Sequence, residues 1–385
     1  MNSVRHSARY DGSVVSGRAC AAAIAFYEQA FGAVCAFRQM GEDGVVCIDP
    51  DLAGARSSAE LNAGGVRATW WQPVNIDLCA RTIDFLAAHA EEFSFRPHGY
   101  LWLYGPDLWR RARAHTGLLN RHGRDVEELS PAAVGARWPF VDRLDGIAGA
   151  TFSPHDGLVD PHAVREHYRA HARAAGARFV DRRLLTGLSG APGRMRARVA
   201  EPAGEDAAMA ALGAPGTPQA GAAGHVIECE RIVNAAGAWA GPVARAMGYS
   251  VPCRAVRRQL CVARHDGVDL AGRGMVVDTT GCYFHPESGD LLLAGYSPPD
   301  EAAGHRFHYD GAAFFEAEVW PRLAARCGAF DRLQHLRGWA GLYELSPDNS
   351  ALRGAVHDKP GVYEIHSFSG RGVMQSHAAA RALAE

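Results

Sequence analysis

The hydrophobic pattern opens as strand, turn and helix. Ser13-Val14-Val15 is short and apolar, Ser16-Gly17-Arg18 is a turn, and residues 19–30 form an alanine-rich helical run. A second apolar strand, Val45-Val46-Cys47-Ile48, follows the polar turn Gly41-Glu42-Asp43-Gly44 and ends in Asp49. A strand–helix–strand opening favours a parallel sheet. Residues 57–67 are a turn-rich loop containing Asn62-Ala63-Gly64-Gly65. Helical spacing recurs at 74–90, 106–118 and 130–138. Leu158-Val159-Asp160-Pro161 leads into a further helix, with Pro161 in its first turn, that ends near Gly176. Strands are expected at 177–180, 195–199 and 232–233.

Residues 202–224 are rich in Ala, Gly and Pro with no periodic face, and read as a flexible surface insertion in a β-hairpin. Residues 250–345 alternate strands and turns and look mainly antiparallel. The chain closes with a strand at 362–365, a glycine turn and a helix over 373–384. This order predicts an α/β and α+β protein of two interleaved domains. Residues 1–100, 150–245 and 335–385 would build a Rossmann-like domain. Residues 101–149 and 246–334 would build an antiparallel-sheet domain.

Composition adds exclusions. The 385 residues are 48% hydrophobic and 21% charged, enough apolar material for a large core. A net charge of -2, with no long basic run, gives no reason to expect nucleic acid. No stretch approaches the about 20 apolar residues of a membrane span, and no signal-peptide core precedes Asp11. The nine cysteines are scattered and none forms a CxxC pair, so no metal is expected. Their odd count and irregular spacing suit buried thiols in a reducing cytoplasm.

Four segments carry candidate chemistry. Dinucleotide folds place a pyrophosphate on a helix N-terminus and need glycines where the backbone turns and touches phosphate. In Ser16-Gly17-Arg18-Ala19-Cys20-Ala21 those three positions hold Ser16, Arg18 and Ala21. The segment reads equally as an ordinary strand–helix turn, while Asp49 fits an acceptor for ribose hydroxyls. The loop from Ser57 and Ser58 through Ala63, Gly64 and Gly65 to Arg67 can lay backbone N–H groups against a ligand, or simply be solvated. The small residues before Trp239, Ala236 and Gly237 among them, allow close backbone approach to a ligand or to a neighbouring helix. The fourth segment is the most specific. A strand runs into Ser369-Gly370-Arg371-Gly372 and then into a helix starting at Val373-Met374, which makes a compact backbone anion site.

Taken in order, these segments resemble the D-amino-acid oxidase superfamily of flavoenzymes, which includes glycine and sarcosine oxidases and dimethylglycine and sarcosine dehydrogenases. Residues 234–240 resemble its NAAGAW segment. Residues 339–343 with Pro347-Asp348 resemble its WAG…PD segment, and 368–374 its GFSGHGF segment, with Arg371 at the usual His. Residues 63–67 and 158–161 also match. The resemblance spans nearly the whole chain. It implies bound FAD, a small-molecule amine substrate, hydride transfer to flavin N5, and oxygen or another electron acceptor. Cysteine linkage of flavin in the WAG region is not implied, because Gly341 stands there. Family members often continue past the last helix, whereas this chain ends at Glu385.

The departures bear on substrate. Glycine-oxidase-like members carry, directly after WAGL, an Arg that clamps the substrate carboxylate. Tyr343 stands there in this chain, as in dimethylglycine dehydrogenase relatives, which favours a secondary or tertiary amine. Arg371, Tyr283, His285 and Arg67 are the further catalytic-site candidates, with Arg258 and His366 as other candidate substrate contacts. His285 reads also as a structural histidine. Two competing readings stand beside the enzyme: a non-catalytic member of the fold that has weakened or lost FAD, and an NAD-dependent dehydrogenase, which would not account for the Ser-Gly-Arg-Gly turn.

Overall fold

Proline punctuates the helices. Pro73–Ala88, Pro106–Arg121, Pro131–Arg137 and Pro161–Ala174 each begin with it, where its missing N–H costs nothing and its fixed φ suits the first turn. Ser130 and Asp160 add side-chain caps by accepting from the following backbone N–H groups. The computed structural model describes residues 34–37 (backbone only), 44–202 and 225–384. The predicted opening strand, Ser16-Gly17-Arg18 and the 19–30 helix lie outside the described residues.

The described strands fall mainly into two large sheets. The six-stranded sheet runs in the order 352–355, 362–366, 231–234, 34–37, 45–48, 178–180. Val45–Ile48 is a strand as expected, but its pairing is not purely parallel. It is antiparallel to Val34–Phe37 and parallel to Arg178–Val180. The Val34–Phe37 strand is absent from the sequence reading, which treats that stretch as connection. Its four apolar residues carry no period, and only hairpin pairing with Val45–Ile48 and with Arg231–Asn234 makes them a strand.

The eight-stranded sheet runs 334–345, 254–264, 291–296, 283–286, 275–277, 100–104, 149–153, 127–129. All its pairings are antiparallel except Met275–Val277 with Tyr100–Tyr104. Strands 149–153 and 334–345, at the expected domain boundaries, both belong to it. A three-stranded sheet of 225–229, 194–200 and 184–191 stands apart. Its strands 194–200 and 225–229, which flank the Ala/Gly/Pro-rich segment, pair antiparallel as a hairpin.

Separate apolar clusters fill the two main layers. One joins Val45, Val233 and Ile365 to the inner faces of helices 73–88, 161–174 and 372–384. The other packs Leu101, Leu103, Phe284 and Leu292 against Trp138, Phe314 and Phe330. The terminal helix is tied to Pro73–Ala88 by Gln375 Nε2 donating to Asn75 Oδ1 at 3.1 Å, both side chains buried. Among the described residues no helix is long and apolar enough to cross a membrane.

Candidate functional site

The 57–67 loop is held in place by its own polar groups. Asn62 Nδ2 donates to the Ser58 and Ala59 carbonyls, while its Oδ1 accepts from Gly64 N–H at 2.6 Å. Ser58 Oγ donates to the Leu342 carbonyl at 2.8 Å, tying the loop to strand 334–345. Gly64 has φ +68, and a Cβ there would stand 2.5 Å from the Val159 carbonyl oxygen. A Cβ on Gly65 would stand 2.1 Å from the Tyr100 hydroxyl. Gly64 is therefore required by its backbone, and a side chain at Gly65 would displace the Tyr100 ring.

Arg67 follows as the chain leaves this loop. Its Nη1 donates to the Thr69 carbonyl at 2.8 Å. Its guanidinium lies 3.5 Å from the Trp70 ring centroid and 4.6 Å from that of Trp102. Burial lowers its pKa, but an arginine stays cationic through any physiological pH. Beneath it, fully buried Asp156 accepts from Ala68 N–H at 2.9 Å and Thr69 Oγ1 at 3.3 Å. Burial pushes the Asp156 carboxyl up to about 6, against the opposing pull of those donors and of Arg67.

Across from Arg67, strand 362–366 ends in a turn with three left-handed residues: Ser367 (φ 61), Ser369 (φ 53) and Gly370 (φ 84). Phe368 N–H donates to Glu344 Oε1 at 3.3 Å and Ser369 N–H to the Glu344 carbonyl at 3.1 Å. Glu344 is buried, which raises its carboxyl to about 7. Helix Gly372–Ala384 starts directly after this turn.

Between the loop and the turn lies a cavity of about 350 Å³. Its walls include Ser58, Ala63, Gly65, Arg67, Tyr283, Tyr343, Ser369, Gly370, Gly372, Val373 and Met374. All of these are sequence candidates, drawn from four distant segments. The cavity size is that of a small-molecule site. Tyr100 is buried and Tyr283 and Tyr343 are half-buried; desolvation raises all three phenol pKa values, so each presents a neutral hydroxyl.

Other candidates lie elsewhere. Arg371 is buried, but its guanidinium turns onto the Trp70 ring, 4.0 Å from the centroid, and it is not among the described cavity walls. Its Nε and Nη1 have no hydrogen-bond partner among the described residues. His285 faces away from the cavity. Its Nε2 is 3.0 Å from the Ala63 carbonyl and its Nδ1 3.1 Å from the Pro286 carbonyl, so it braces the loop from outside. Arg258 lines a small adjoining cavity with its guanidinium 5.5 Å from the Tyr343 ring. His366 is buried beneath the turn, its Nδ1 2.7 Å from Ser367 Oγ. Ser57 is buried, with its Oγ accepting from Glu60 N–H. Ala236, Gly237 and Trp239 are buried at the end of strand 231–234, with Trp239 stacked on His305 and Phe307, and none lines the cavity.

Trp70, Tyr100, Trp102, Met275, Val277 and Glu344 line the cavity and were missed. A signal existed for two of them. In Tyr100-Leu101-Trp102-Leu103-Tyr104, period-two alternation puts Tyr100 and Trp102 on one face, and Leu101 and Leu103 enter the core on the other.

A dinucleotide fits features of this chain that protein contacts leave unfinished. Asp49 is fully buried at the end of its strand, and its Oδ2 has no hydrogen-bond partner among the described residues. That suits an acceptor for ribose hydroxyls. The left-handed turn ahead of a helix start suits an anionic ring edge.

The family model described as "FAD dependent oxidoreductase" (DAO) matches residues 30–385. The chain is 25% identical over 386 residues to the Bos taurus "FAD-dependent oxidoreductase domain-containing protein 1", covering 90% of this chain and 76% of that protein. It is 23% identical over 331 residues to Mus musculus mitochondrial sarcosine dehydrogenase, covering 78% of this chain and 32% of that protein. Its fold is similar to that of L-proline dehydrogenase from P. horikoshii, with a TM-score of 0.75, 19% identity, and 94% and 89% of the two chains covered.

Proposed function

The chain belongs to the DAO family of FAD-dependent oxidoreductases, with FAD as cofactor, and from this we propose that it oxidises a secondary or tertiary amine carrying a carboxylate. FAD, when bound, supplies the two-electron acceptor for hydride from the carbon next to nitrogen. The residues of this chain bind, orient and shield. The observation that carries the reading is the cavity wall. Arg67 is the one cationic side chain among its described lining residues, set among Trp70, Tyr100, Trp102, Tyr283 and Tyr343.

Arg67 is placed to attract the substrate carboxylate. Its rotamer is fixed by Trp70, Trp102 and the Thr69 carbonyl, so little entropy is lost on binding. Tyr343 offers a neutral hydroxyl where a second guanidinium would demand another anion. An aromatic box of this kind accommodates an N-alkyl group, and it favours a cationic amine before its proton is lost. A strong general base is not required once the amine is neutral. The Ser367–Gly370 turn and the N-terminus of helix Gly372–Ala384 present backbone dipoles suited to the negative charge of a reduced flavin. Asp49 supports the ribose end. With Gly341 in the WAG segment, the cofactor is held without a covalent bond.

The test is anaerobic bleaching of the flavin absorbance by sarcosine, N,N-dimethylglycine, L-proline and glycine. Faster bleaching by the alkylated or cyclic amines than by glycine is expected. Glycine bleaching as fast as the others would refute the amine class. A colourless protein that FAD cannot reconstitute would refute the enzyme reading. Comparing reoxidation in air with reoxidation by an artificial dye distinguishes oxygen from another electron acceptor.

A further inference from the structure

Away from the cavity, two imidazoles flank one carboxylate, and a third imidazole stacks beside them. His89 caps the C-terminus of helix Pro73–Ala88, and Glu92 lies in the loop after it. His167 and His171 stand four residues apart on helix Pro161–Ala174, so their rings share one face, 4.0 Å apart between centroids. His89 Nδ1 is 3.3 Å from one Glu92 oxygen, and His167 Nδ1 is 2.6 Å from the other. One ligand atom from each of His89, Glu92 and His167 lies within 4.8 Å of the other two. Around a tetrahedral zinc ion, with bonds of about 2.0–2.2 Å, donor atoms stand about 3.4 Å apart. The two imidazole–carboxylate separations, 3.3 and 2.6 Å, are at or inside that value, so the side chains need to open only slightly to admit the ion.

We propose that His89, Glu92 and His167 form a binding site for a divalent transition metal of the zinc class, with the fourth position left to water. Two imidazoles and a carboxylate are a donor set that zinc favours over calcium or magnesium. The site differs from the CxxC kind because its ligands come from two helices and a loop that only the fold brings together. His167 is already oriented by an aromatic floor, with Phe93, Tyr168 and Phe85 ring centroids 5.0, 5.4 and 5.7 Å away. Its side chain is 8% exposed. A metal here would cross-link the end of one helix to the middle of another, remote from the amine cavity.

The experiment uses full-length, tag-free holoprotein, washed with EDTA and titrated with zinc chloride by calorimetry. One equivalent binding in the micromolar range or tighter is expected. His167→Ala and Glu92→Gln should each weaken it by about 10-fold or more, with the flavin spectrum unchanged. His89→Asn, at a half-exposed position, provides a variant that keeps the aromatic floor. Zinc-edge anomalous diffraction should place the ion between these side chains. No saturable heat at millimolar zinc would overturn the proposal. Affinity unchanged in the His89→Asn, Glu92→Gln double variant would also overturn it, as would an anomalous peak elsewhere.

Discussion

Gly370 is the least forgiving position in the turn beside the cavity, and Gly370→Ala tests the geometry directly. Its φ is +84, and a Cβ there would lie 2.3 Å from Tyr343 Cε2 and 2.5 Å from Cζ. Ordinary carbon–carbon contact is about 3.5–4.0 Å, so the ring would have to retreat by more than ~1 Å. Tyr343 can retreat only by taking cavity space or by moving against its neighbours, Arg258 among them. The left-handed backbone costs alanine about 1 kcal/mol. Overpacking a close contact adds about 1–3 kcal/mol. The expected destabilisation is therefore about 2–4 kcal/mol, with weakened flavin retention as the ring shifts. Gly193→Ala is the control, since Gly193 has φ +77 and no atom within 4 Å of where its Cβ would stand. It should lose only the backbone part, about 1 kcal/mol. Urea unfolding followed by circular dichroism, with flavin measured in the filtrate, reads both. The difference between the two variants isolates the ring contact. Equal losses, with full flavin in Gly370→Ala, would refute the packing described.

Other outcomes follow from the same geometry. Asp156→Ala leaves the buried Ala68 N–H without its acceptor, at about 1–3 kcal/mol; it should also raise KM more than it lowers kcat, because the Ala68–Thr69 segment that holds Arg67 loosens. Steady-state kinetics with an unchanged KM would count against that role. Glu344 titrates near about 7 in the folded chain because of burial, against about 4.3 when unfolded. The folded state then holds more protons between those values, so this group's contribution to stability falls as pH rises from ~4 to ~7. Urea midpoints across that range should slope less in Glu344→Gln than in the parent, and parallel slopes would show that Glu344 is not the group. Gly372→Val places a branched side chain on the cavity wall at the first residue of the terminal helix; the folded variant should emerge without flavin, and full occupancy in its absorbance spectrum would refute that placement.

The legible parts of the fold were those with a period or a punctuation mark. Four helices start at proline, and their starts agree with the sequence reading to within a residue. The Val34–Phe37 strand was not legible, since four apolar residues look alike in a strand, a loop or a helix end. For the site, the glycine-rich loop and turn were readable because close approach leaves a mark in residue type. His285 and Arg371 are site candidates by their place on a strand and in the motif turn, but the direction of a side chain is set by its neighbours across a sheet or a turn. Trp70 and Glu344 left no mark, as an isolated aromatic or acid is ordinary in any core or surface.

By itself, the sequence determined the proline-led helix starts, the strand-rich 250–345 region and the turn ahead of the last helix, and its ordered motifs resembled a flavoenzyme family. The first three follow from local spacing and from proline and glycine punctuation, the last from the resemblance of those motifs. The tertiary structure decided that Arg67, Tyr283, Tyr343 and the Ser369–Met374 stretch share one cavity. It also decided that Asp156 and Glu344 are buried with raised pKa, that Arg371 turns onto Trp70, and that His285 faces away. Each of these depends on which surfaces meet when distant segments pack, and burial, not residue identity, sets the charge and direction of the groups at the site.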